Sequence, residues 1–424
     1  MNRYPLKMLL FTLLLPAVSG ALAQEDDWGE WGEELDGAWQ EESAAARQAV
    51  GLPLHGFVEQ SFGVRTERDP LLDDETLADS RLRLEWSPLV GEVQFKLKGD
   101  LWYDSVIGDW EAQAREASIQ YAAAKDLDIK FGRQTLTWGT GDFLFINDQF
   151  AKDWQAFFSG RDDQYLKAPQ DAIRASFYGD SINAELVWMP RFKSDEFIRG
   201  ERFSFFSPQV GQQVAPGFSV EEPAENELAA RLFWQSGSTE YAVYGYNGHQ
   251  GTPDISPVLG AYFPELVVAG ASLRRPFFGG LFNTEWGYFD NESKPDQWRV
   301  LLGYERELFT NFTASGQAYL EHYAEEVLPK DFSVLPEYAP DRSRTVLTTR
   351  LSYRAMQEKL TWTLFAFHSP SDRDGYLRPS VSWRQSDEWQ WTLGGNIYHG
   401  DAPHTFFGQF DRADNAYIRL KFSF

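Results

Sequence analysis

The sequence predicts an all-β protein whose strands close into a transmembrane, antiparallel, up-and-down β-barrel. Three observations support this fold class: segments of strand length alternate between apolar and polar residues, connection lengths alternate along the chain, and no apolar run after the N-terminus is long enough to cross a bilayer as a helix. Successive side chains of a strand point to opposite faces. Alternation therefore fits a closed sheet with lipid outside and water inside.

The last ten residues show this alternation in its simplest form. One face carries Phe424, Phe422, Leu420, Ile418 and Ala416, and the other carries Ser423, Lys421, Arg419, Tyr417 and Asn415. The segment resembles the C-terminal strand of bacterial outer-membrane barrels, whose final Phe serves as an assembly signal. The resemblance implies that Phe424 is recognised by the barrel assembly machinery, and that outer-membrane lipid and lipopolysaccharide surround the protein.

The same pattern recurs in about 18 segments, each long enough for one strand. Between Val93 and Leu101, for example, Leu97 shares the apolar face and Lys98 the polar one. The strands are predicted to begin near Leu54, Leu77, Val90, Glu111, Leu127, Asp171, Ser181, Glu227, Thr239, Glu265, Gly280, Asp296, Phe309, Arg342, Lys359, Gly375, Glu388 and Asn415. An even number of strands places the first and last residues of the barrel on the same side of the membrane.

Connection lengths test this count independently. The connections after strands two, four, six, eight and sixteen are short, whereas those after strands one, three, five, seven, nine, thirteen and seventeen are long and polar, the longest covering residues 191–224. Outer-membrane barrels have short periplasmic turns and long external loops. Aromatic residues just before the short turns predict one interfacial girdle: Trp86, Tyr121, Tyr178, Trp234, Tyr304, Tyr353 and Trp383.

Composition narrows the chemistry. The chain has 424 residues, no Cys, six scattered His and a net charge of -24. These features exclude disulfides and cysteine nucleophiles, argue against a zinc site and disfavour a nucleic-acid partner, which needs a basic surface. No nucleophile is accompanied by a His and an orienting polar group in a recognisable motif. We therefore expect no enzyme activity, no cofactor and no metal.

The N-terminus predicts export. Arg3 and Lys7 precede an apolar run, and small residues follow at Ala21 and Ala23. This pattern is typical of a signal peptide over residues 1–23. Residues 24–53 then form an acidic leader and residues 54–424 the barrel. The leader could contact a periplasmic partner, enter the lumen or remain a loosely docked tail.

The third long connection, residues 135–170, departs from strand alternation. Its aromatic residues recur at helical spacing, so we expect a short helix that begins at Asn147 or Asp148 and ends at Gly160. Porins are similar, since their third external loop folds inward and narrows the channel. The predicted constriction residues are Asp142, Asp148, Lys152, Asp153, Trp154, Phe157, Phe158 and Arg161. Packing on the outside of the mouth is the alternative.

Basic residues on the predicted inner face form a second candidate site. This lumen basic row contains Arg81, Arg83, Arg344, Arg350, Arg378, Arg384, Arg419 and Lys421, and the opposite arc contains Glu285, Glu305 and Glu321. Rings of Lys and Arg favour anions in pores. In the alternative interpretation, loop carboxylates neutralise these cations, because buried charges are normally paired.

These observations favour a channel for small hydrophilic solutes, with anions preferred. Residues 132–134, followed by Trp138 and Gly139, also resemble a segment of specialised outer-membrane channels, including the alginate-export type. Two alternatives stay open: an export or assembly conduit that works with a periplasmic partner, and a secreted soluble β-protein that binds carbohydrate through its aromatic residues.

Overall fold

A computed structural model describes residues 54–256, 260–327 and 338–424. The predicted signal peptide and acidic leader lie outside the described residues. Eighteen long strands pair antiparallel with their neighbours in chain order, and the last pairs with the first. The predicted closed antiparallel barrel is thus confirmed.

The strands are numbered here in chain order. They are β1 (Leu54–Arg65), β2 (Glu75–Trp86), β3 (Val93–Asp104), β4 (Asp109–Ala124), β5 (Leu127–Thr135), β6 (Pro169–Tyr178), β7 (Asn183–Met189), β8 (Glu227–Ser236), β9 (Thr239–His249), β10 (Glu265–Phe277), β11 (Gly280–Asn291), β12 (Gln297–Phe309), β13 (Phe312–Tyr323), β14 (Ser343–Ala355), β15 (Leu360–Ser369), β16 (Asp374–Arg384), β17 (Trp389–Gly400) and β18 (Asn415–Ser423).

Smaller elements lie in the connections. The two-residue strand Leu89–Val90 pairs with the start of β3, and two short hairpins stand outside the barrel sheet: Phe205–Ser207 with Gln212–Val214, and Asp254–Ser256 with Gly260–Tyr262. Helix α1 covers Trp154–Ser159, and 3-10 turns cover Asp163–Tyr165 and Gly408–Phe410. Among the described residues, no helix is long and apolar enough to cross a membrane.

Alternation decides which way each side chain faces. In β18, Tyr417 and Arg419 are buried in the interior, while Ile418 is exposed on the outer wall. Leu97 and Trp391 are likewise exposed outside the barrel. Exposed apolar residues on the outer wall and polar residues on the inner wall are the arrangement that a bilayer requires of a barrel.

The seam of the barrel includes the last residue of the chain. The backbone N–H of Gly56 donates to the carbonyl oxygen of Phe424 at 3.0 Å, and the N–H of Phe424 donates back to Gly56 at 2.9 Å. A Cβ at position 56 would lie 2.2 Å from the carbonyl oxygen of Arg83 and 3.0 Å from the Phe424 ring. The seam therefore requires glycine opposite the terminal aromatic residue.

The connections follow the predicted alternation with one clear exception. The connection after β3 is predicted to be long, but it contains only residues 105–108. The carboxylate of Asp104 accepts from the backbone N–H of Val106 and of Ile107, and Gly108 adopts a φ of +83°. A short polar side chain and a glycine close the chain tightly at this position, so that prediction was wrong.

The two faces of β3 provide a direct test. The chain has no native Cys, so Leu97→Cys and Lys98→Cys each introduce a single thiol. In protein reconstituted into lipid vesicles, we expect Lys98→Cys to react with a small water-soluble maleimide and Leu97→Cys to react only with a lipophilic one. The reverse preference would mean that the sheet faces the other way.

Candidate functional site

The third external connection, residues 136–168 and here called loop L3, folds into the lumen. Phe157 and Phe158 are 2% and 3% exposed, and the centroid of the Phe158 ring lies 5.7 Å from that of Tyr376 and 5.9 Å from that of Tyr398 on the inner wall. Burial of each aromatic side chain stabilises this position by roughly 1.5 to 3 kcal/mol. The alternative in which this loop packs outside the mouth is wrong.

Helix α1 forms in this loop, but it begins later than predicted. Asp153 is its N-cap and accepts from the N–H of Ala156 at 2.7 Å. Asn147 and Asp148 do not cap it, because Asn147 is hydrogen-bonded to Glu285 and Asp148 to two lysines. The helix ends at Gly160 as predicted, with a φ of +88°. A Cβ there would lie 2.3 Å from the Tyr417 ring.

Glu285 of β11 holds the first turn of loop L3. Its carboxylate accepts from the backbone N–H groups of Thr140, Gly141 and Asn147, and from the side-chain amide of Asn147 at 2.8 Å. Glu285 is 1% exposed. Several N–H donors compensate a buried carboxylate. The sequence pattern puts Glu285 on the inner face, but it carries no signal for these distant partners.

Three residues of the lumen basic row hold the later part of the loop. The guanidinium groups of Arg350, Arg378 and Arg419 reach loop carboxylates at N–O distances of 2.5, 2.5 and 2.9 Å. The partners are Asp142, Asp163 and Asp162, in that order. We call these three ion pairs the loop clamp. At these three arginines, the structure agrees with the alternative in which loop carboxylates neutralise the lumen basic row.

Arg81 and Arg83 of the same row are buried against the wall. They lie 3.0 and 2.6 Å from the carboxylate of Asp100 and are 3% and 2% exposed. Arg161 of loop L3 adds ion pairs with Asp79 at 2.7 Å and Asp104 at 2.9 Å. This network occupies the lumen beside β2 and β3, so Arg81 and Arg83 are not free to meet a solute.

The remaining members of the row differ in their surroundings. Arg344 pairs with Asp372 at 2.5 Å and Glu321 at 3.8 Å, near the external end. Arg384 is exposed at the periplasmic end, and the ammonium group of Lys421 lies 5.4 Å from the centroid of the Phe57 ring. The structure therefore divides the row into clamp residues, buried residues and residues at the two ends.

Loop L3 separates two cavities in the lumen. The outer chamber, of about 370 Å³, lies toward the external loops, and the inner chamber, of about 650 Å³, lies toward the periplasmic turns. Phe143 and Phe145 line both. The ammonium groups of Lys152 and Lys167 lie 4.7 and 4.3 Å from the centroid of Phe145. The junction of the chambers thus has an aromatic edge flanked by two cations.

Both chambers contain more basic than acidic residues. The outer chamber has Lys152, Lys294, Arg299 and Arg344 against Asp148 and Asp195. The inner chamber has Lys167, Arg174, Arg231, Arg274, Arg350, Arg354 and Arg384 against Asp142, Asp163, Glu185, Glu305 and Glu358. In a protein with a net charge of -24, the lining of the lumen thus has an excess of basic residues.

The lysines at the junction share one carboxylate. Asp148 lies 2.8 Å from Lys152 and 2.5 Å from Lys167. Burial alone would raise the pKa of Asp148, but the two ammonium groups outweigh it and hold the pKa below its usual range. Burial lowers the pKa of Lys167 to about 8, even though Asp148 opposes that change. Lys167 therefore loses its charge at a mildly basic pH.

The other constriction residues support the loop. The indole N–H of Trp154 donates to Asp195 of the fourth external connection at 2.9 Å. Burial raises the pKa of Asp153 to about 6, and Arg161 opposes that change.

Within the described ranges, no group of three or more His, Asp or Glu side chains could hold a metal ion.

The barrel and its inward loop define the structural class, a closed 18-stranded antiparallel β-barrel with a loop folded into its lumen. The chain is similar to Pseudomonas aeruginosa OccK2 (OpdF) in complex with glucuronate: TM-score 0.55, 10% identity, covering 87% of this chain and 97% of that one. It is also similar to Acinetobacter baumannii OccAB3, with a TM-score of 0.53, 10% identity and coverage of 88% and 98%. No family model and no curated protein matches the chain. The likeness shows a shared barrel fold.

The Glu285 contacts predict a stability effect. Glu285→Gln should destabilise the folded protein by about 2 kcal/mol or more, because an amide nitrogen cannot accept the N–H groups that now face the carboxylate. The temperature at which the folded gel band converts to the unfolded one should fall, and protease cleavage within loop L3 should rise. Glu305→Gln is the matched control on the next strand. Equal behaviour of the two variants would contradict the role of Glu285.

The lowered pKa of Lys167 predicts a pH effect on selectivity. Between pH 7 and 9 the ammonium group should lose its proton with a midpoint of about 8, which removes one positive charge beside the junction. The anion-to-cation permeability ratio should therefore fall over this range. Lys167→Arg keeps its charge and should remove the step. An unchanged step in that variant would assign it to another group.

Proposed function

We propose that the protein is an outer-membrane channel through which small hydrophilic solutes diffuse, with anions preferred. The observation that carries this proposal is the pair of basic chambers on the two sides of loop L3. Positive charge in a lumen with low-dielectric walls raises the local concentration of anions. The glucuronate bound in the similar OccK2 structure is a small hydrophilic anion, which agrees in type with the proposed solutes.

The chamber sizes support a small solute over a polymer. Volumes of about 370 and 650 Å³ fall in the range of small-molecule sites, roughly 300 to 1,000 Å³. The loop clamp and the Glu285 contacts hold loop L3 across the space that a polymer would need. For this reason a diffusion channel is a better proposal than an export conduit.

The proposal also includes the route to the membrane. The signal pattern of residues 1–23 supports export with cleavage of the signal peptide, and the Phe424 seam supports recognition of the C-terminal strand by the barrel assembly machinery. The exposed apolar outer wall supports contact with outer-membrane lipid and lipopolysaccharide. On this proposal the protein needs no cofactor.

A channel is also preferred over an enzyme. Among the described residues, the serine–histidine contact is that of Ser343 with His322, whose Oγ and Nδ1 atoms are 2.6 Å apart. Ser343 is exposed and His322 half-buried at the external end of the barrel, and no carboxylate in the described part of the chain lies within 4.0 Å of His322. A catalytic base needs a third group to orient it, so this pair lacks an essential part.

Arg274 and Arg384 provide the test of anion preference. Both line the inner chamber. Their reversal to Glu should lower the anion-to-cation permeability ratio in planar bilayers by roughly three- to tenfold at about 0.1 M salt. The two reversals together change the charge by four units, each worth roughly 0.4 kcal/mol at about 10 Å in water, and salt at this concentration screens more than half of that energy. Arg275→Glu is the control, since Arg275 is exposed on the opposite face of β10. No current, or cation preference in the unmodified protein, would reject the proposal.

A further inference from the structure

Three cations near the periplasmic mouth of the barrel make no close ion pair among the described residues. No carboxylate in residues 54–256, 260–327 and 338–424 lies within 4.0 Å of the charged groups of Arg274, Arg384 or Lys421. Arg384 and Lys421 lie at one level of the wall. In the register of the sheet, Arg384 of β16 is opposite Gln390 of β17, and Gln390 is opposite Lys421 of β18. The clamp arginines deeper in the lumen, in contrast, each have a loop carboxylate.

The segment that precedes the barrel has the opposite charge. Residues 24–53 contain nine acidic residues and one basic residue, Arg47, together with Trp28, Trp31 and Trp39. This segment joins the barrel at Leu54, the first residue of β1. The start of β1 is at the end of the barrel with the short turns, which is the end where the inner chamber opens.

The connection is short enough for the two to meet. In the same register, Lys421 of β18 is opposite Glu59 of β1. Arg384 is therefore three strand spacings from β1, roughly 14 Å around the wall. Leu54 is five residues further toward the mouth, roughly 17 Å along the strand. The stretch from Trp39 to Leu54 can extend to about 50 Å. The acidic part of the segment can therefore reach Arg384 and Lys421.

We propose that the acidic leader, residues 24–53, docks at the periplasmic mouth of the inner chamber and competes there with anionic solutes. The inference rests on the proposed anion channel. The carboxylates of the leader would pair with Arg384, Arg274 and Lys421. The indole rings of the leader would lie against guanidinium groups or against the aromatic edge of the chamber. A tethered segment binds at an effective concentration in the millimolar range, so individually weak contacts are sufficient.

Docking through charge predicts a salt-dependent block. A leader whose nine acids are replaced by the corresponding amides should raise the anion current through the full-length channel about twofold at roughly 0.1 M salt, and the difference should disappear near 1 M, where the Debye length falls to about 3 Å. Equal anion currents of the two channels at low salt would overturn the proposal. Loss of anion preference in both channels would instead reject the proposed function.

Crosslinking tests the docked position independently of transport. The cysteine-free chain allows Trp31→Cys to be paired with Ser382→Cys, two residues from Arg384 on the inner face. The control pairs Trp31→Cys with Ser236→Cys, which is exposed at the same end of the barrel on β8. A short thiol crosslinker should join the first pair at low salt, at least severalfold more than the control pair, and less so in the amide leader. Equal yields for both pairs would place the leader elsewhere.

Discussion

Electrostatic attachment of loop L3 to the inner wall is the interaction on which the rest of the lumen depends. The Asp142, Asp162 and Asp163 carboxylates meet arginines of β14, β18 and β16, Arg161 meets acids of β2 and β3, and Glu285 of β11 accepts N–H groups of the loop. The loop is thus tied to the wall on several sides. These contacts hold the loop at the level where it divides the lumen into two chambers.

Burial of charge is costly, and the structure shows how the cost is offset. Removal of one partner from a buried ion pair destabilises a protein by roughly 3 to 5 kcal/mol, because the other charge is left uncompensated. In the network around Asp79 and Asp100, Arg81, Arg83 and Arg161 each have at least one carboxylate within 3.0 Å. The aromatic cluster of Phe157, Phe158 and Tyr376 adds burial that does not depend on charge. Position and rigidity of the loop therefore have two independent sources.

The fold could be predicted from the sequence because its main signal is local. Alternation with a period of two determines whether each side chain of β3 or β18 points to the lumen or to the outer wall. This holds whichever residues the side chain contacts elsewhere in the chain. Connection lengths failed only where a local turn had not been recognised, after Asp104. The inward course of loop L3 was also foreseeable, because Phe157 and Phe158 require burial that an external loop cannot provide.

The details of the site were beyond the sequence because its partners are far apart in the chain. Asp142 and Arg350 are separated by 208 residues, and Asp162 and Arg419 by 257. Nothing local distinguishes Arg350, which binds the loop, from Arg384, which does not, or from Arg83, which is buried. A distant residue also determines where helix α1 begins. Asn147 is hydrogen-bonded to Glu285 and does not cap the helix, so Asp153 is the N-cap.

The central claim is that loop L3 lies inside the lumen against the wall arginines. Asp163→Cys together with Arg378→Cys tests it most directly, because the two side chains are 2.5 Å apart at their charged ends and the chain has no other thiol. In protein folded in lipid, a short bifunctional thiol reagent should join the two positions in most molecules. Separate modification of both thiols with no crosslink would show that the loop lies elsewhere.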